Sequence, residues 1–452
     1  MNVTLQTKAA LDFDASAAAR QIKDGRLSSV ALVTACLERI KATDDQLKAW
    51  AHLDPDKALA EAEEMDAIRR SGRPLGPLHG VPVGLKDIID TRDCPTERGS
   101  PIFAGRQPDA DAAVVDRLRD AGAVILGKTV TTEVAFVHPA DTVNPHDPSR
   151  TPGGSSSGSA AAVAAYQVPL ALGTQTNGSV IRPASFCGTY GFKPTRGVIS
   201  RRGILQTSVS LDQVGVFARS LEDVALLTDV LKGFDPQDAK SYSRPRPAYR
   251  DGFHEDPPVE PVLAYIELPF ADRIAEDTGT GFQELITSLG ARAERVAAPP
   301  MFKDLVEAQR IIHEYEICQH LKATFDTHWA QISATLRPVI ERGRSISANE
   351  HAEALDKLAA AEQYFGAFFK DYDAILSPAA PGEAPPLGPT TGDPIFCTIW
   401  TLAGLPALSM PLLVGDHGLP IGVQLIAGQE EDARLMRTAR WLLETLRGQS
   451  GD

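Results

Sequence analysis

Three segments of the chain each carry an amine or hydroxyl in a frame of glycine and apolar residues. The first is the apolar run 80–85, which ends at Lys86; the second is Gly/Ser-rich and contains Ser155; the third ends at Ser179. Burial at a strand end would lower the pKa of Lys86 and leave a neutral amine able to act as a base. In the third segment Gly178 permits a tight turn whose N–H groups converge as an oxyanion hole. Each segment alone also fits a surface lysine or an ordinary turn.

Three other patterns indicate different chemistry. Residues 122–129 match the phosphate-loop pattern GxxxxGK[ST], but the four variable positions are Ala-Val-Ile-Leu, which predict a strand. The GxSxG pattern centred on Ser156 is typical of α/β-hydrolases, but a loop precedes it where a strand is required. Cys187 is a further candidate nucleophile, although buried free cysteines are common. The five cysteines form no CxxC pair, so we predict reduced thiols and no metal site.

Composition limits the classes of partner. The chain has 452 residues and a formal net charge of -14. An acidic chain without a long basic run gains no counterion release on nucleic acid, so we expect no direct nucleic-acid contact. Residues 1–20 lack the apolar run of a signal peptide, and no apolar stretch is long enough to span a membrane. We therefore expect a cytoplasmic protein without a membrane partner.

Strands that alternate with helices indicate an α/β fold with a central sheet. We expect a single domain, residues 1–452, with a catalytic core at about 70–220. A variable, substrate-shaping region is expected at about 235–400, after which 401–446 returns to the core. The stretch 381–394 is dense in Pro and Gly and is predicted as a loop. The predicted strands are 78–85, 123–126, 168–172, 263–266, 292–296, 373–378, 407–413 and 421–426; the predicted helices are 14–45 with a break near 24–25, 58–70, 114–122, 160–165, 279–289, most of 303–370 and 432–446.

Taken together, the three segments resemble the amidase signature family, whose hallmark is a Lys, cis-Ser, Ser triad. In that family the relay serine precedes the nucleophile by 24 residues, and counting back from Ser179 gives Ser155, the first serine after Gly153-Gly154. The resemblance covers most of residues 10–440 and implies a mixed, twisted sheet covered by helices on both faces. Further matching positions are Asn144-Pro145, Cys187-Gly188, Gly191 to Thr195, Ser210-Leu211-Asp212, Gly215, Gly404 to Ala407 and Gly418 to Leu425.

The resemblance also implies roles for individual residues. Lys86 would be the base, Ser155 the relay that follows a cis peptide bond, and Ser179 the nucleophile that forms an acyl-enzyme. We expect neither a cofactor nor a metal. The backbone N–H groups of Thr176, Asn177, Gly178 and Ser179 would form the oxyanion hole, and Thr174 and Ser157 would supply supporting hydroxyls.

Two positions depart from the usual family sequence beside the nucleophile. Asn177 replaces the first glycine of a Gly-Gly pair, and we expect Asn to tolerate a positive φ there while its side chain reshapes the acyl pocket. Gln175 stands where many members have Asp. Because the oxyanion hole donates through backbone groups, neither change is expected to prevent catalysis.

The expected substrate is a small or aryl amide, with esters, anilides and carbamates as further candidates. Arg182 resembles an arginine of the malonamidase-like branch that meets a substrate carboxylate; the alternative is a structural arginine tied to a nearby acid. The middle helices and the 381–396 loop are expected to shape an apolar pocket, with Ile395 and Trp400 in contact with substrate. Met301, Phe302, Ile312, Tyr315 and Phe396 are the other apolar candidates.

Two other functions remain compatible with the sequence. One is the amidase subunit of a glutamine-dependent tRNA amidotransferase, whose partner chains carry the tRNA contact. The other is a binding protein on the same scaffold, although a decayed site usually loses Lys86, Ser155 or Ser179. As an enzyme, the chain is expected to act on a small-molecule amide as a monomer or homodimer.

Overall fold

A mixed sheet runs through the computed structural model, which describes residues 10–450. The strands within these residues are β1 (Trp50–Leu53), β2 (Pro82–Lys86), β3 (Val124–Thr129), β4 (Leu170–Gln175), β5 (Tyr190–Lys193), β6 (Gln213–Ala218), β7 (Leu263–Glu267), β8 (Ala293–Ala297), β9 (Ala374–Pro378), β10 (Ala407–Val414) and β11 (Pro420–Ile426). All eleven of these described strands pair in one sheet, in the order β1-β3-β2-β4-β6-β5-β10-β11-β9-β7-β8.

Helices connect most of the strands. From residue 15 onward the α-helices are α1 (Ala15–Lys23), α2 (Ser29–Leu47), α3 (Pro55–Arg70), α4 (Ala113–Asp120), α5 (Ser157–Ala164), α6 (Ile181–Cys187), α7 (Leu221–Leu231), α8 (Tyr249–His254), α9 (Glu276–Leu289), α10 (Phe302–His320), α11 (Lys322–Thr327), α12 (Arg337–Ser345), α13 (Ala348–Phe368), α14 (Ile395–Leu402) and α15 (Asp432–Ser450). Short 3₁₀ helices lie at Pro101–Phe103, Glu133–Ala135, Ala271–Arg273, Gly290–Arg292 and Trp329–Gln331.

The strands near the candidate site are parallel. β2 pairs with β3 on one side and with β4 on the other, both in parallel. The carboxyl ends of parallel strands meet at the same edge of a sheet, so Lys86 at the end of β2 comes close to the residues that end β4. β4 pairs with β6 antiparallel, and this pairing brings the segment before Gln213 to the same edge.

The sheet is buried on both faces. In β4, Leu170 and Leu172 belong to the core cluster that includes helices α4, α7 and α15, whereas Ala171 belongs to the cluster that includes α2 and α5. Such alternation along a fully buried strand means that apolar helices cover both faces. The predicted single α/β domain with a mixed sheet between helices is therefore confirmed.

Several elements differ from the sequence prediction. β1, β5 and β6 were not predicted, and α14 begins at Ile395 inside the stretch 381–396 that was expected to be a loop. The phosphate-loop interpretation of 122–129 is wrong, because Val124–Thr129 is a buried strand. The Lys128 ammonium donates to the Ile89 carbonyl and the Thr96 hydroxyl in the interior.

Neither a membrane-spanning helix nor a metal site is present in residues 10–450. In this part of the chain no helix has the length and apolar character needed to cross a membrane. Nor does any group of three or more His, Cys, Asp or Glu side chains among the described residues have the arrangement of a metal site.

Gly158 in α5 provides a test of the packing that positions Ser155. A Cβ atom at this residue would lie 2.2 Å from the Ala49 carbonyl oxygen and 2.4 Å from the Val130 backbone nitrogen. We expect Gly158→Ala to lower the free energy of unfolding by about 1–3 kcal/mol or more, because backbone must move to relieve the overlap. Urea denaturation of the purified variant measures this change.

Gly366 in α13 is the matched control, because no atom lies within 4 Å of a Cβ built there. Gly366→Ala should raise the free energy of unfolding by up to about 0.5–1 kcal/mol, since alanine restricts the unfolded chain without a steric clash. Equal effects of the two substitutions would show that helix α5 is not held by the close approach at Gly158.

Candidate active site

The amine of Lys86 is enclosed by hydroxyl groups. Lys86 is fully buried, and its Nζ lies 2.6 Å from Ser155 Oγ and 2.9 Å from Thr174 Oγ1. No carboxylate among the described residues lies within ion-pair distance of this nitrogen. Loss of solvation lowers the pKa of Lys86 from 10.5 to about 7, and the field of Asp212 opposes only part of this shift. A substantial neutral fraction of the amine is therefore present at neutral pH.

Two other buried lysines show how different this environment is. Lys128 lies 3.4 Å from the Asp87 carboxylate, so its charge has a counterion. Burial also lowers the pKa of Lys193 to about 7, but its ammonium donates to Gln213 Oε1 and to the carbonyls of Pro194 and Leu405. Carbonyl oxygens cannot give up a proton, whereas the two hydroxyls around Lys86 can.

The segment before Ser155 is fixed from two sides. The peptide bond between Gly154 and Ser155 is cis, and Gly153 has a φ of 84°. The Ser157 hydroxyl donates to the Gly153 carbonyl at 2.8 Å, and Arg182 Nη2 donates to the Gly154 carbonyl at 2.6 Å. Ser157 therefore supports the backbone that presents Ser155 and makes no hydrogen bond to Lys86.

Ser179 lies at the wall of a cavity of about 1100 Å³. Its side chain is half-buried, and within residues 10–448 its hydroxyl makes no hydrogen bond, to Ser155 or to any other group. The backbone N–H groups of residues 176–179 likewise have no hydrogen-bond acceptor in the described protein. Unpaired donors beside a hydroxyl at the edge of a cavity are what an attacked carbonyl oxygen requires.

Gln175 closes the turn that contains these amides. Its Oε1 accepts from the backbone N–H groups of Val180 and Ile181, at 2.8 and 2.9 Å. Its Nε2 donates to Thr401 Oγ1 at 2.9 Å. A carboxylate at this position could make the two acceptor contacts but not the third, so the departure from Asp has a structural consequence.

The expectation of a positive φ at Asn177 is wrong. Neither Asn177 nor Gly178 is in the left-handed region. Gly178 is required for another reason, because a Cβ there would lie 2.9 Å from Pro394 Cβ at the start of α14. The Asn177 side chain contacts two helices: Nδ2 donates to Gln309 Oε1 at 3.1 Å, and Oδ1 accepts from Thr398 at 2.8 Å.

Arg182 is a buried cation in the cavity wall. Besides the Gly154 carbonyl, its Nη2 donates to Thr391 Oγ1 at 2.9 Å, and its buried Nε has no acceptor within the described residues. Burial lowers the pKa of Arg182 to about 10, so it stays protonated at neutral pH. It forms no ion pair in this part of the chain, so the expected acid partner is absent there, but its contacts with the Gly154 carbonyl and Thr391 are those of a structural arginine.

The predicted apolar pocket is also corrected. Ile395 and Trp400 do not line the cavity: both are buried in the core, and the Trp400 ring packs 5.6 Å from Phe365 and 6.2 Å from Phe302. The indole is enclosed because α14 packs against α10 and because the Trp400 ring also meets Phe365 of α13. The cavity wall instead combines apolar residues with charged residues of both signs. The apolar ones include Ala135, Phe136, Val137 and Val339, and the charged ones Arg150, Arg273, Glu276, Asp277, Arg310, Glu314, Arg342, Glu383 and Asp393.

The competing nucleophiles have other structural roles. Cys187 is buried, its Sγ contacts the Pro152 carbonyl at 3.3 Å, and burial raises the pKa of its thiol. Ser156 is fully buried and hydrogen-bonds to the backbone of Thr174. His313 lines the cavity, but its Nε2 contacts Thr207 and burial lowers its pKa to about 3, so it is a neutral wall residue.

Three residues of this region were not identified as functional from the sequence. Asp212 accepts from Thr176 Oγ1 at 2.5 Å and from two amides of the loop before β6. Gln309 in α10 donates to the Thr176 carbonyl at 3.1 Å, and Thr401 in α14 donates to the Asn177 carbonyl at 2.5 Å. Asp212 lies in a motif shared with the family, but no sequence signal marks Gln309 or Thr401.

Comparison with known proteins shows the family of the chain. The sequence model of the Amidase family matches residues 31–436. The A subunit of a glutamyl-tRNA(Gln) amidotransferase from Chloroflexus aggregans is 36% identical over 93% of this chain and 94% of its own. The peptide amidase of Stenotrophomonas maltophilia superposes with a TM-score of 0.79 at 30% identity, covering 96% of this chain and 97% of its own.

A second solved structure superposes with a TM-score of 0.90 at 30% identity, over 96% of this chain and 98% of its own. It was described in work on a vestigial protein complex and the origins of an s-triazine catabolic enzyme. The chain belongs to the amidase signature family. It is an amidase, an enzyme that acts on carbon–nitrogen amide bonds.

The buried amine predicts how stability depends on pH. Between about pH 7 and 10.5 the unfolded state holds a proton on Lys86 that the folded state lacks, so wild-type stability rises with pH there. Lys86→Met removes this term. We therefore compare the free energies of unfolding of the two proteins. The value for Lys86→Met minus the value for wild type should be largest at and below pH 7 and should fall toward pH 10. Urea denaturation at pH 7, 8 and 9 measures it; a pH-independent difference would contradict a lowered pKa.

Proposed function

We propose that this amidase cleaves its substrate through an acyl-enzyme on Ser179, with Lys86 as the base and Ser155 as the relay. The observation that carries the proposal is the buried Lys86 amine 2.6 Å from the Ser155 hydroxyl, with no anion in contact. An amine whose pKa is about 7 can both accept and return a proton near neutral pH. The family and the unpaired amides beside Ser179 support the same assignment.

The proton moves along this path in both halves of the reaction. Neutral Lys86 accepts the proton of Ser155 as Ser155 accepts that of Ser179, and Ser179 Oγ attacks the amide carbonyl carbon. The oxygen of the tetrahedral intermediate accepts from the amides of residues 176–179. The proton then returns to the leaving nitrogen as the C–N bond breaks. Water attacks the acyl group in the second half, and its proton follows the same path.

We place the acyl part of the substrate toward Arg182. Its guanidinium is charged, lines the cavity three residues after Ser179 and has an Nε without an acceptor in the described chain. An acyl group that ends in a carboxylate or another strong acceptor would satisfy this donor, because a buried polar group without a partner costs about 1–3 kcal/mol. The leaving amine then extends into the rest of the cavity.

The sequence comparison favours a particular setting for this reaction. This chain is 36% identical to a glutamyl-tRNA(Gln) amidotransferase A subunit over nearly the full length of both. We therefore propose that it supplies the amidase step of such an enzyme. Glutamine carries a carboxylate and an ammonium, and the cavity wall contains charges of both signs. The net charge of -14 fits an arrangement in which partner subunits, not this chain, contact tRNA. A free-standing amidase, like the peptide amidase of similar structure, is the second candidate.

Fluorophosphonate labelling tests the nucleophile and its base together. We expect mass spectrometry to find the label on Ser179, with a rate that rises with pH and is half-maximal near pH 7, because only neutral Lys86 can accept the proton. Ser179→Ala should take up no label, and Lys86→Met should lose at least about 100-fold in labelling rate.

Ser156→Ala is the matched control for this experiment. Ser156 is the centre of the competing GxSxG pattern and should not carry the label in the wild-type protein, so its removal should leave the labelling of Ser179 in place. A label on Ser156 or Cys187, or a Lys86→Met protein that reacts at the normal rate, would refute the proposed mechanism.

Activity and association together distinguish the two settings. If the chain is an amidotransferase subunit, affinity purification from its native cell should recover stoichiometric partner chains, and glutamine hydrolysis should increase when they are present. If it is free-standing, the purified chain alone should turn over small or aryl amides, anilides or carbamates at a rate that partner chains do not change.

With or without partner chains, Arg182→Leu should raise KM most for amides whose acyl group carries a carboxylate. Equal effects on neutral acyl groups would contradict the placement of the acyl group at Arg182.

A further inference from the structure

In the turn of residues 176–178 all three carbonyl oxygens accept hydrogen bonds, whereas the backbone N–H groups of residues 176–179 have no acceptor among the described residues. The Thr176 carbonyl accepts from Gln309 Nε2, the Asn177 carbonyl from Thr401 Oγ1, and the Gly178 carbonyl from the Arg182 backbone N–H. The two side-chain donors come from helices α10 and α14, far along the chain from the turn. Both donors are buried.

Peptide planarity converts these carbonyl contacts into directions for the amides. In a trans peptide unit the C=O and the N–H of the next residue point in opposite directions within one plane. A donor that holds the Thr176 carbonyl therefore fixes the direction of the Asn177 N–H. In the same way Thr401 fixes the Gly178 N–H, and the first turn of α6 fixes the Ser179 N–H.

We propose that Gln309 and Thr401 are positioning residues that aim the Asn177 and Gly178 amides at the carbonyl oxygen under attack. This inference rests on the proposed acyl-enzyme function and adds residues from two distant helices to it. Thr401 is not part of the described cavity wall, whereas Gln309 lines it; in this proposal each acts through the peptide unit that it holds.

The direction of the Thr401 hydrogen bond is determined by Gln175. Both acceptor contacts of Gln175 Oε1 are taken by the amides of Val180 and Ile181, so its Nε2 faces Thr401 and donates to it. The single hydroxyl proton of Thr401 is then left for the Asn177 carbonyl. Aspartate at position 175 could not donate in this way. Gln175 thus orients the Thr401 hydroxyl, and this hydroxyl holds the turn before Ser179.

The orientation of Gln309 depends in turn on Asn177. Asn177 Nδ2 donates to Gln309 Oε1, which leaves Gln309 Nε2 for the Thr176 carbonyl. Thr398 donates to Asn177 Oδ1 and holds the other end of this amide. The two departures from the usual family sequence, Gln175 and Asn177, therefore both belong to the hydrogen-bond network that orients the amides. Gln175 acts through Thr401, and Asn177 acts through Gln309.

Thr401→Val tests one positioning bond with almost no change in side-chain volume. Loss of a whole oxyanion donor lowers kcat by about 100- to 1000-fold, so a donor that is present but poorly aimed should lower kcat/KM by about 10- to 100-fold. We expect the loss in kcat with little change in KM. Thr401→Ser, which keeps the hydroxyl, should restore most of the activity.

The matched control is Thr228→Val. Thr228 is also a buried helical threonine, but its hydroxyl donates to Val224 within its own helix α7, which contributes no residue to the described cavity wall. Thr228→Val should leave kcat/KM within about twofold of wild type. It should lower the thermal unfolding temperature by about as much as Thr401→Val does.

Gln309 is tested by two substitutions that separate its donor from its acceptor. Gln309→Glu keeps an acceptor for Asn177 but has no donor for the Thr176 carbonyl, whereas Gln309→Leu removes both. If the donor positions the peptide unit, both variants should lose kcat by similar factors. Activity of Gln309→Glu close to wild type would overturn this half of the proposal.

A trifluoromethyl ketone analogue distinguishes positioning from general destabilisation. It adds to Ser179 and places an oxyanion in the hole, whereas the product carboxylate binds without one. Across the Thr401 and Gln309 variants, the analogue affinity should fall by the same factor as kcat/KM, while product affinity stays constant. Equal weakening of both ligands, or unchanged kcat/KM in Thr401→Val, would overturn the inference. An active Ser179→Ala protein would instead overturn the proposed function.

Discussion

An amine buried among hydroxyls, without a carboxylate in contact, is the constraint on which the site depends. Lys86 loses its hydration at the end of a fully buried strand, and among the described residues the field of Asp212 opposes part of the resulting fall in pKa. A direct ion pair would oppose this fall further. At Lys128 on a neighbouring strand the Asp87 carboxylate opposes the effect of burial, although the pKa of that lysine is still lowered. The site therefore requires both a buried lysine and the exclusion of acids from its contacts.

The fold meets this requirement by placing strand ends and turns around one point. Parallel pairing brings the end of β2 beside the end of β4, so Lys86 meets Thr174 without any loop flexibility. Ser155 comes from a separate connection held by Ser157 and Arg182, immediately before the close-packed start of α5. Backbone packing thus fixes where the two side chains begin, and the 2.6 Å contact joins their ends.

Much of this could be predicted from local pattern. The strand ending at Lys86, the Gly/Ser connection and the turn at Ser179 have sequence signatures because each needs small residues next to a reactive group. The single α/β domain follows from alternating helices and strands. Short β1 and β5 were missed because four-residue strands give too little periodicity to detect. Helix α14 was missed because its apolar residues follow a segment dense in Pro and Gly.

The errors around the pocket have a different origin. Trp400 and Ile395 are apolar residues near the site in sequence, but hydrophobicity says only that a residue is buried, not which surface buries it. The same limit applies to Gln309 and Thr401, whose roles arise from contacts across more than 130 and 220 residues of chain. Asn177 was recognised as unusual, and a positive φ and a reshaped acyl pocket were expected. Its hydrogen bonds to Gln309 and Thr398 were missed because these partners lie in distant helices.

The layout separates bond cleavage from substrate choice. The proposed proton path uses groups on β2, β4 and the segment before α5, which lie in the continuous core of the sheet. The cavity walls come largely from α10, α12 and the loop before α14. Within the described residues their side chains make no hydrogen bond to Lys86 or Ser155, although Thr391 of the loop holds the Arg182 side chain that supports Ser155. The two parts meet at Asn177, whose backbone belongs to the turn and whose side chain belongs to the wall. Changes in α10 that alter substrate preference should therefore be tolerated only where Gln309 still reaches the turn.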